Sequence, residues 1–266
     1  MDNDKQPEQT IERLNPLNDF AFQKAMGEKG DEPQLISFLN AVLERTGRNR
    51  ITQVSIADNK EIPAETAGGK LTRLDVLATL EDGAKVNIEV QNRDEFNMEK
   101  RSPYHWALKY TRDFRQGQDY AELVPVICIN ILDFGFIDKI DDFHTSFHIR
   151  EDQHPDIMLS DVFEIHYLDM VKFRKLLKDK SGKGYNKNNP LHRWLAFLNE
   201  NSPEEIIEEV LRMDPALKYY ESKMDEIRRD PAMMRAYDNY AKTLSDWTSS
   251  INGAERRGIA IGEQRG

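Results

Sequence analysis

Hydrophobic residues in the first fifty positions recur at the 3.6-residue spacing of amphipathic helices. Asn18 and Asp19 precede the segment FAFQKAMG as an N-cap precedes a helix, and Gly27 ends that segment. A second helix is predicted from about Pro33 to Arg45, with a buried stripe formed by Leu35, Ile36, Leu39, Val42 and Leu43. The chain is therefore expected to open its folded part with two short helices.

The pattern then changes to the alternation of polar and apolar residues that is typical of strands. Three strands are predicted in ITQVSIAD, LTRLDVLATL and AKVNIEVQ, followed by a helix over 97–117. The nearly continuous apolar run LVPVICINILDF indicates a strand buried on both faces of a mixed sheet. Two further strands are predicted in DFHTSFHI and VFEIHYL. This order predicts an α/β domain with a mixed central sheet flanked by helices.

The C-terminal third of the chain predicts helices only. After a basic helix that ends near 178, prolines suited to a first helical turn stand at Pro190, Pro203, Pro215 and Pro231. We expect a polar leader at 1–14, an α/β domain at 15–180 and a helical region at 190–266. Because glycine destabilises helices, the tail AERRGIAIGEQRG is expected to be frayed or disordered.

Composition narrows the location of the protein. No run approaches the roughly 18 apolar residues that cross a bilayer, and the N-terminus lacks the apolar stretch of a signal peptide. We therefore expect a cytoplasmic protein without a membrane partner. The single cysteine, Cys128, is predicted to be a buried and inert thiol. His144 and His148 share one face of a predicted strand, and solvent exposure is the simplest account of them.

The net charge of -10 argues against a nucleic-acid partner, because phosphate binding depends on Lys and Arg. The segment 171–194 is an exception, with eight basic residues and one acidic residue. Its lysines Lys172, Lys175 and Lys178 are candidates for contacts with DNA phosphates. A solvated helix face explains the same charges.

The predicted hairpin brings two acids together. A three-residue turn that ends in glycine pairs Leu80 with Ala84. The same register places Asp75 opposite Glu89 on one face, with their Cβ atoms about 4.5 to 5.5 Å apart. Gln91 points the same way, because alternate residues of a strand share a face.

Two carboxylates at this distance raise each other's pKa unless a cation lies between them. Mg²⁺ prefers oxygen ligands and is typically held by one or two carboxylates together with a substrate phosphate. The carbonyl of Val90 is a further candidate ligand, and Gln91 is a candidate for orienting a water molecule. The alternative is that these residues form the exposed polar face of an ordinary amphipathic hairpin.

The chain as a whole resembles the Rpn-type family of recombination-promoting nucleases and transposases, within the PD-(D/E)XK nuclease superfamily. Five segments carry the resemblance, over about residues 14 to 180: LNPLNDFAFQKAMG, LISFLNAVL, LDVLATLEDGAKVNIEVQN, KRSPYHWALKYTRDFRQGQDY and LVPVICINILDF. It implies a restriction-endonuclease-like core. Gln23 and Met26 depart from the lysine and phenylalanine of the family pattern, and neither is a proposed ligand.

The resemblance also implies roles for individual residues. Asp75 corresponds to the superfamily aspartate and Glu89 to the second metal-binding acid, whereas Gln91 stands where many members have lysine. Asp19 falls where the first core helix often carries a further acid. Two residues of the helix that follows the hairpin are implied to lie near the site, namely Arg101 and Tyr104.

These observations lead to the hypothesis of a DNA endonuclease that uses Mg²⁺ or another divalent cation, associated with recombination or mobile elements. One chain offers one site, so cutting both strands requires a homodimer or sequential nicking. A member of the same fold that binds DNA without cleaving it is one alternative, favoured by Gln91 and the acidic charge. A protein-interaction role for the acidic helical region is another.

Overall fold

The computed structural model of the chain describes residues 13–44, 47–57, 76–112, 114–179 and 184–265. The strands are β1 (Val54–Ile56), β2 (Val76–Leu80), β3 (Lys85–Gln91), β4 (Val126–Leu132), β5 (His144–Phe147) and β6 (Phe163–Asp169). The helices are α1 (Asp19–Met26), α2 (Glu32–Leu43), α3 (Met98–Thr111), α4 (Met170–Lys178), α5 (Pro190–Leu198), α6 (Glu204–Met213), α7 (Pro215–Arg229) and α8 (Pro231–Arg265).

The strands form one mixed sheet in the order β1-β2-β3-β4-β6-β5. The first three strands are antiparallel, β3, β4 and β6 run parallel, and β5 pairs antiparallel with β6 at the edge. The helix α3 lies in the connection from β3 to β4, as a parallel pair requires a long crossover. The predicted mixed sheet with flanking helices is confirmed.

The β2–β3 hairpin has the register that its turn predicts. Gly83 has a φ of 87° and donates a 3.0 Å backbone hydrogen bond to Leu80, whose N–H donates to Ala84 at 2.8 Å. The described pairs run as far as Val76 opposite Ile88. Asp75 lies outside the described residues, so its predicted position opposite Glu89 stays a prediction.

The larger core joins helices from both ends of the chain on one face of the sheet. Trp194 of α5 meets the ring of Phe38 of α2 edge-on at 5.4 Å and donates to the Ser37 hydroxyl at 3.1 Å. Tyr220 of α7 is buried and donates to the Pro16 carbonyl at 2.7 Å. The loop near 180–190 therefore does not separate two hydrophobic cores.

A smaller core lies on the other face, where α3 packs over β4 and β6. Its buried residues are Met98, Val126, Cys128, Leu132, Ile165 and Tyr167. The indole of Trp106 stacks on Tyr110 at 4.7 Å and donates to the Val126 carbonyl at 3.0 Å. Both faces of β4 are thus covered, as its apolar run predicts, and Cys128 is buried as expected.

Several predicted boundaries differ from those observed. The helix predicted over 97–117 ends at Thr111, and the second helix is Glu32–Leu43. The glycine-containing tail belongs to α8, which extends to Arg265, and its expected fraying stays a prediction. Among the described helices, none is both long and apolar enough to cross a membrane.

The expectation that His144 and His148 are solvent-exposed is wrong. His144 is buried, with its Nε2 at 2.9 Å from Nδ1 of His166, and Nε2 of His166 lies 2.8 Å from the Glu164 carboxylate. His148 approaches the same carboxylate at 3.9 Å, and Arg48 donates to it at 3.2 Å. Alternation identified the shared face of the strand correctly, but β5 turns that face toward the side of the larger core.

Candidate active site

The polar face of β3 is buried. The side chains of Asn87, Glu89 and Gln91 alternate along the strand and are only 2%, 3% and 4% exposed, respectively. An exposed amphipathic hairpin therefore does not account for these three residues. Burying charged and amide groups is unfavourable unless they are paired, so their partners determine what the site can do.

Glu89 is held by groups from two elements. Arg101 of α3 donates to its Oε1 at 2.8 Å, and the Gln91 amide nitrogen donates to the same oxygen. Nδ1 of His105 lies 3.7 Å from its Oε2. The sequence argument found no cation certain to neutralise this acid, and Arg101 supplies one.

The helix α3 presents Arg101 and His105 one turn apart, at the four-residue spacing that places side chains on one face. The second amino group of Arg101 donates to Glu95 at 3.2 Å. Arg101 therefore joins the loop after β3 to the buried acid. The sequence analysis missed His105, although its spacing from Arg101 was a usable signal.

Tyr104 lies farther from the acid than Arg101 does. Its side chain is exposed, and its ring meets that of His105 edge-on at 5.9 Å. The structure thus brings Arg101 into direct contact with Glu89, whereas Tyr104 adjoins the site through His105.

Asp19 lies beside the end of β3. Asn18, not Asp19, caps α1, since the Asn18 side chain accepts from the Phe20 and Ala21 amides. Asp19 is therefore the first residue of the helix and not its cap. Asn92, which follows Gln91 in the chain, donates to the Asp19 carboxylate at 3.0 Å. This contact brings the first helix to the carboxyl end of the strand that carries Glu89.

Comparison with protein families assigns the chain to a family. The family described as PD-(D/E)XK nuclease family transposase matches residues 16–254. The chain belongs to this family. Its mixed sheet with flanking helices is the restriction-endonuclease-like fold expected from the sequence. The match continues from α1 into α8, and so includes helices beyond the segments that carry the resemblance. Neither a curated protein nor a solved structure matches the chain.

The donor chemistry of this nuclease-family site suits a hard divalent cation. Oε1 of Glu89 is occupied by Arg101 and Gln91, whereas the contact given for Oε2 by the described residues is with His105, at 3.7 Å. A carboxylate oxygen of this kind fits the ligand preference of Mg²⁺. The described residues contain no group of three or more His, Cys, Asp or Glu placed to hold a metal ion, and Asp75 lies outside those residues.

The three lysines of α4 that were predicted to contact DNA differ from one another. Lys172 donates from Nζ to the carbonyls of Phe136 and Ile137 at 2.5 and 3.0 Å, and its side chain is largely buried. Lys175 and Lys178 are exposed. Only the last two offer their charges to solvent.

Proposed function

We propose that the chain is a Mg²⁺-dependent DNA endonuclease that acts in recombination or in mobile elements. Asp75 and Glu89 hold the metal, with the Val90 carbonyl as a further ligand. The hairpin register carries this proposal: the described pairs end with Val76 opposite Ile88, and one further step pairs Asp75 with Glu89. The family assignment supports nuclease chemistry.

The bound ion would lower the pKa of an attacking water and stabilise charge on the scissile phosphodiester. The remaining roles belong to side chains of the chain. Gln91 donates its amide N–H to Glu89, which leaves the amide oxygen to accept a hydrogen bond from the attacking water. Arg101 holds the Glu89 carboxylate in one orientation. Lys175 and Lys178 are candidates for phosphate contacts away from the site.

A family member that binds DNA without cleaving it is the second candidate. The observation that favours it is the occupation of Glu89 Oε1 by both Arg101 and Gln91. In addition, Gln91 supplies no positive charge where many superfamily members have lysine. A nuclease and a DNA-binding protein both retain DNA affinity, so cleavage distinguishes them.

Plasmid cleavage with and without Mg²⁺ tests the proposal. The parent protein should convert supercoiled plasmid to nicked circles in Mg²⁺ and not in EDTA, while Asp75→Ala and Glu89→Gln should bind the plasmid without cutting it. Circular dichroism establishes that the variants are folded. If both folded variants cut at the parental rate, these acids are not the catalytic pair.

The products also distinguish a homodimer from sequential nicking at one site. A dimer with two sites should yield linear plasmid directly, whereas a monomer with one site should accumulate nicked circles before linear product forms. Sedimentation at the concentration of the cleavage assay gives the oligomeric state independently. Linear product that forms directly from a monomer would contradict the one-site proposal.

A further inference from the structure

The polar face of β3 continues beyond Glu89 toward the start of the strand. A pocket of about 210 Å³ opens there, between the β2–β3 hairpin and the C-terminal end of α3. Its polar lining comes from Thr79, Lys85, Asn87, Lys109 and Arg112. Asn87 and Glu89 share one face of β3, so the pocket adjoins the candidate active site.

The charge of this pocket is opposite to that of the whole protein. Among the described residues that line it, none is acidic and three carry positive charge, whereas the chain has a net charge of -10. Spacings of three or four residues align three basic residues of α3 and its C-cap residue in one stripe that begins at the Glu89 contact: Arg101, His105, Lys109 and Arg112. This stripe of basic side chains thus extends from the buried Glu89 to the pocket.

Asn87 provides an independent sign that the pocket takes a ligand. Its side chain is 2% exposed, and its Oδ1 has no hydrogen-bond partner among the described residues. A buried polar atom without a partner is unfavourable. Turning this amide by 180° exchanges Oδ1 with the amide nitrogen, so that an anion in the pocket can accept hydrogen bonds from its N–H donors.

We propose that this pocket is a phosphate subsite for the DNA strand that is cut at Glu89. Lys109 and Arg112 attract a backbone phosphate, and the Asn87 amide donates to it. Asn87 and Lys85 lie two and four residues from Glu89, which is about 7 and 14 Å along a strand. One DNA strand carries a phosphate about every 3.4 Å of helix axis, so a duplex whose axis follows β3 would place the bound phosphate two to four nucleotides from the scissile one. This inference rests on the proposed function and adds where the cut DNA strand lies on the protein.

The salt dependence of DNA binding tests the subsite. The full-length variant Lys109→Gln/Arg112→Gln is compared with the parent by fluorescence anisotropy on a labelled duplex in EDTA, at several salt concentrations. Each lost phosphate contact should reduce the slope of log affinity against log salt by about 0.9, so the double variant should lose about 1.8. In Mg²⁺, its KM for cleavage should rise by a larger factor than its kcat falls.

Two variants with the same loss of charge serve as comparisons. Lys218→Gln/Lys242→Gln removes exposed lysines of α7 and α8 and should leave the slope unchanged. Lys175→Gln/Lys178→Gln tests the α4 surface. If the α4 variant lowers the slope and the α3 variant does not, α4 is the phosphate surface and the proposed subsite is wrong.

Asn87→Asp tests the chemistry of the ligand at nearly constant side-chain size. A negative charge in the pocket should weaken DNA binding if the pocket holds a phosphate. Unchanged or tighter binding by a folded Asn87→Asp variant would overturn the subsite. If the parent cuts DNA and the α3 variant keeps its slope, only the subsite fails. If the parent neither binds nor cuts DNA, the proposed function fails as well.

Discussion

Arg101 of α3 and Glu89 of β3 form an ion pair in which NH2 lies 2.8 Å from Oε1, with side chains 23% and 4% exposed. Removing either charge leaves the other partly buried without its partner. Glu89→Gln should therefore destabilise the protein. The loss should be limited to about 1 to 3 kcal/mol, because Arg101 is not fully buried and keeps its hydrogen bond to Glu95. Urea denaturation measures the change.

A double-mutant cycle isolates this pair. Arg101→Gln alone should also be destabilising, because it leaves the Glu89 carboxylate charged and buried. The variant with both substitutions should be more stable than the sum of the two single effects predicts, by at least about 0.5 kcal/mol. Strict additivity would show that the two side chains act independently.

The Gly83 turn sets the register on which the proposed metal pair depends. Gly83→Ala should cost about 1 kcal/mol or more, since its φ of 87° is unfavourable for a residue with a Cβ. Space is not the obstacle, because the added Cβ would meet the nearest atom, of Val124, at an ordinary 3.7 Å. Thermal denaturation provides the measurement.

Gly135→Ala is the matched control for this turn. An added Cβ there meets nothing within 4 Å, and Gly135 does not have a positive φ. Gly135→Ala should be neutral or stabilising by up to about 1 kcal/mol, because alanine lowers the conformational entropy of the unfolded chain. An equal loss of stability in both variants would contradict a specific role for the Gly83 conformation.

Lys172 should contribute to stability, in contrast to its neighbour Lys175. Lys172→Met keeps an apolar side chain of similar length but removes the hydrogen bonds to Phe136 and Ile137, so a loss of about 1 to 3 kcal/mol is expected. Lys175→Met alters an exposed position and should stay within about 0.5 kcal/mol of the parent. Equal stabilities of the two variants would show that these hydrogen bonds contribute little.

The hairpin register was predictable because it depends on local turn chemistry. A three-residue loop with glycine in the left-handed position determines which residues face each other, and the pairing of Val76 with Ile88 agrees with that prediction. Strand and helix order were likewise accessible from periodicity. These features depend on residues that are close in sequence.

The environment of Glu89 depends on contacts between distant segments. Alternation identifies a polar face of β3 but does not indicate that α3 brings Arg101 and His105 to it. The resemblance implied that Arg101 lies near the site, and the signal for His105 in the sequence was its four-residue spacing from Arg101. The buried His144 was missed for a similar reason: alternation assigns a strand face without showing what covers it.

The histidine cluster at the β5 edge should make stability depend on pH. Burial lowers the pKa of His148 from its ordinary value of 6.5, and this outweighs the opposite effect of Glu164. His166, Arg150 and Arg48 lower this pKa as well. Below about pH 6.5 the unfolded chain therefore binds more protons at this position than the folded protein does. The stability from neutral His148 is complete above that pH and is lost as pH falls from 6.5 through the lower folded pKa.

Denaturation between pH 5 and pH 8 tests this expectation. His148→Gln cannot titrate, so its stability should fall less steeply than that of the parent as the pH decreases. Some dependence of stability on pH should remain in His148→Gln, because burial also lowers the pKa of His192. His154→Gln is the control, because His154 is an exposed histidine paired with Glu151. If the stability of His148→Gln depends on pH as steeply as that of the parent, another group causes the acid sensitivity. If His148→Gln and His154→Gln change this dependence equally, burial of the histidine is not the cause.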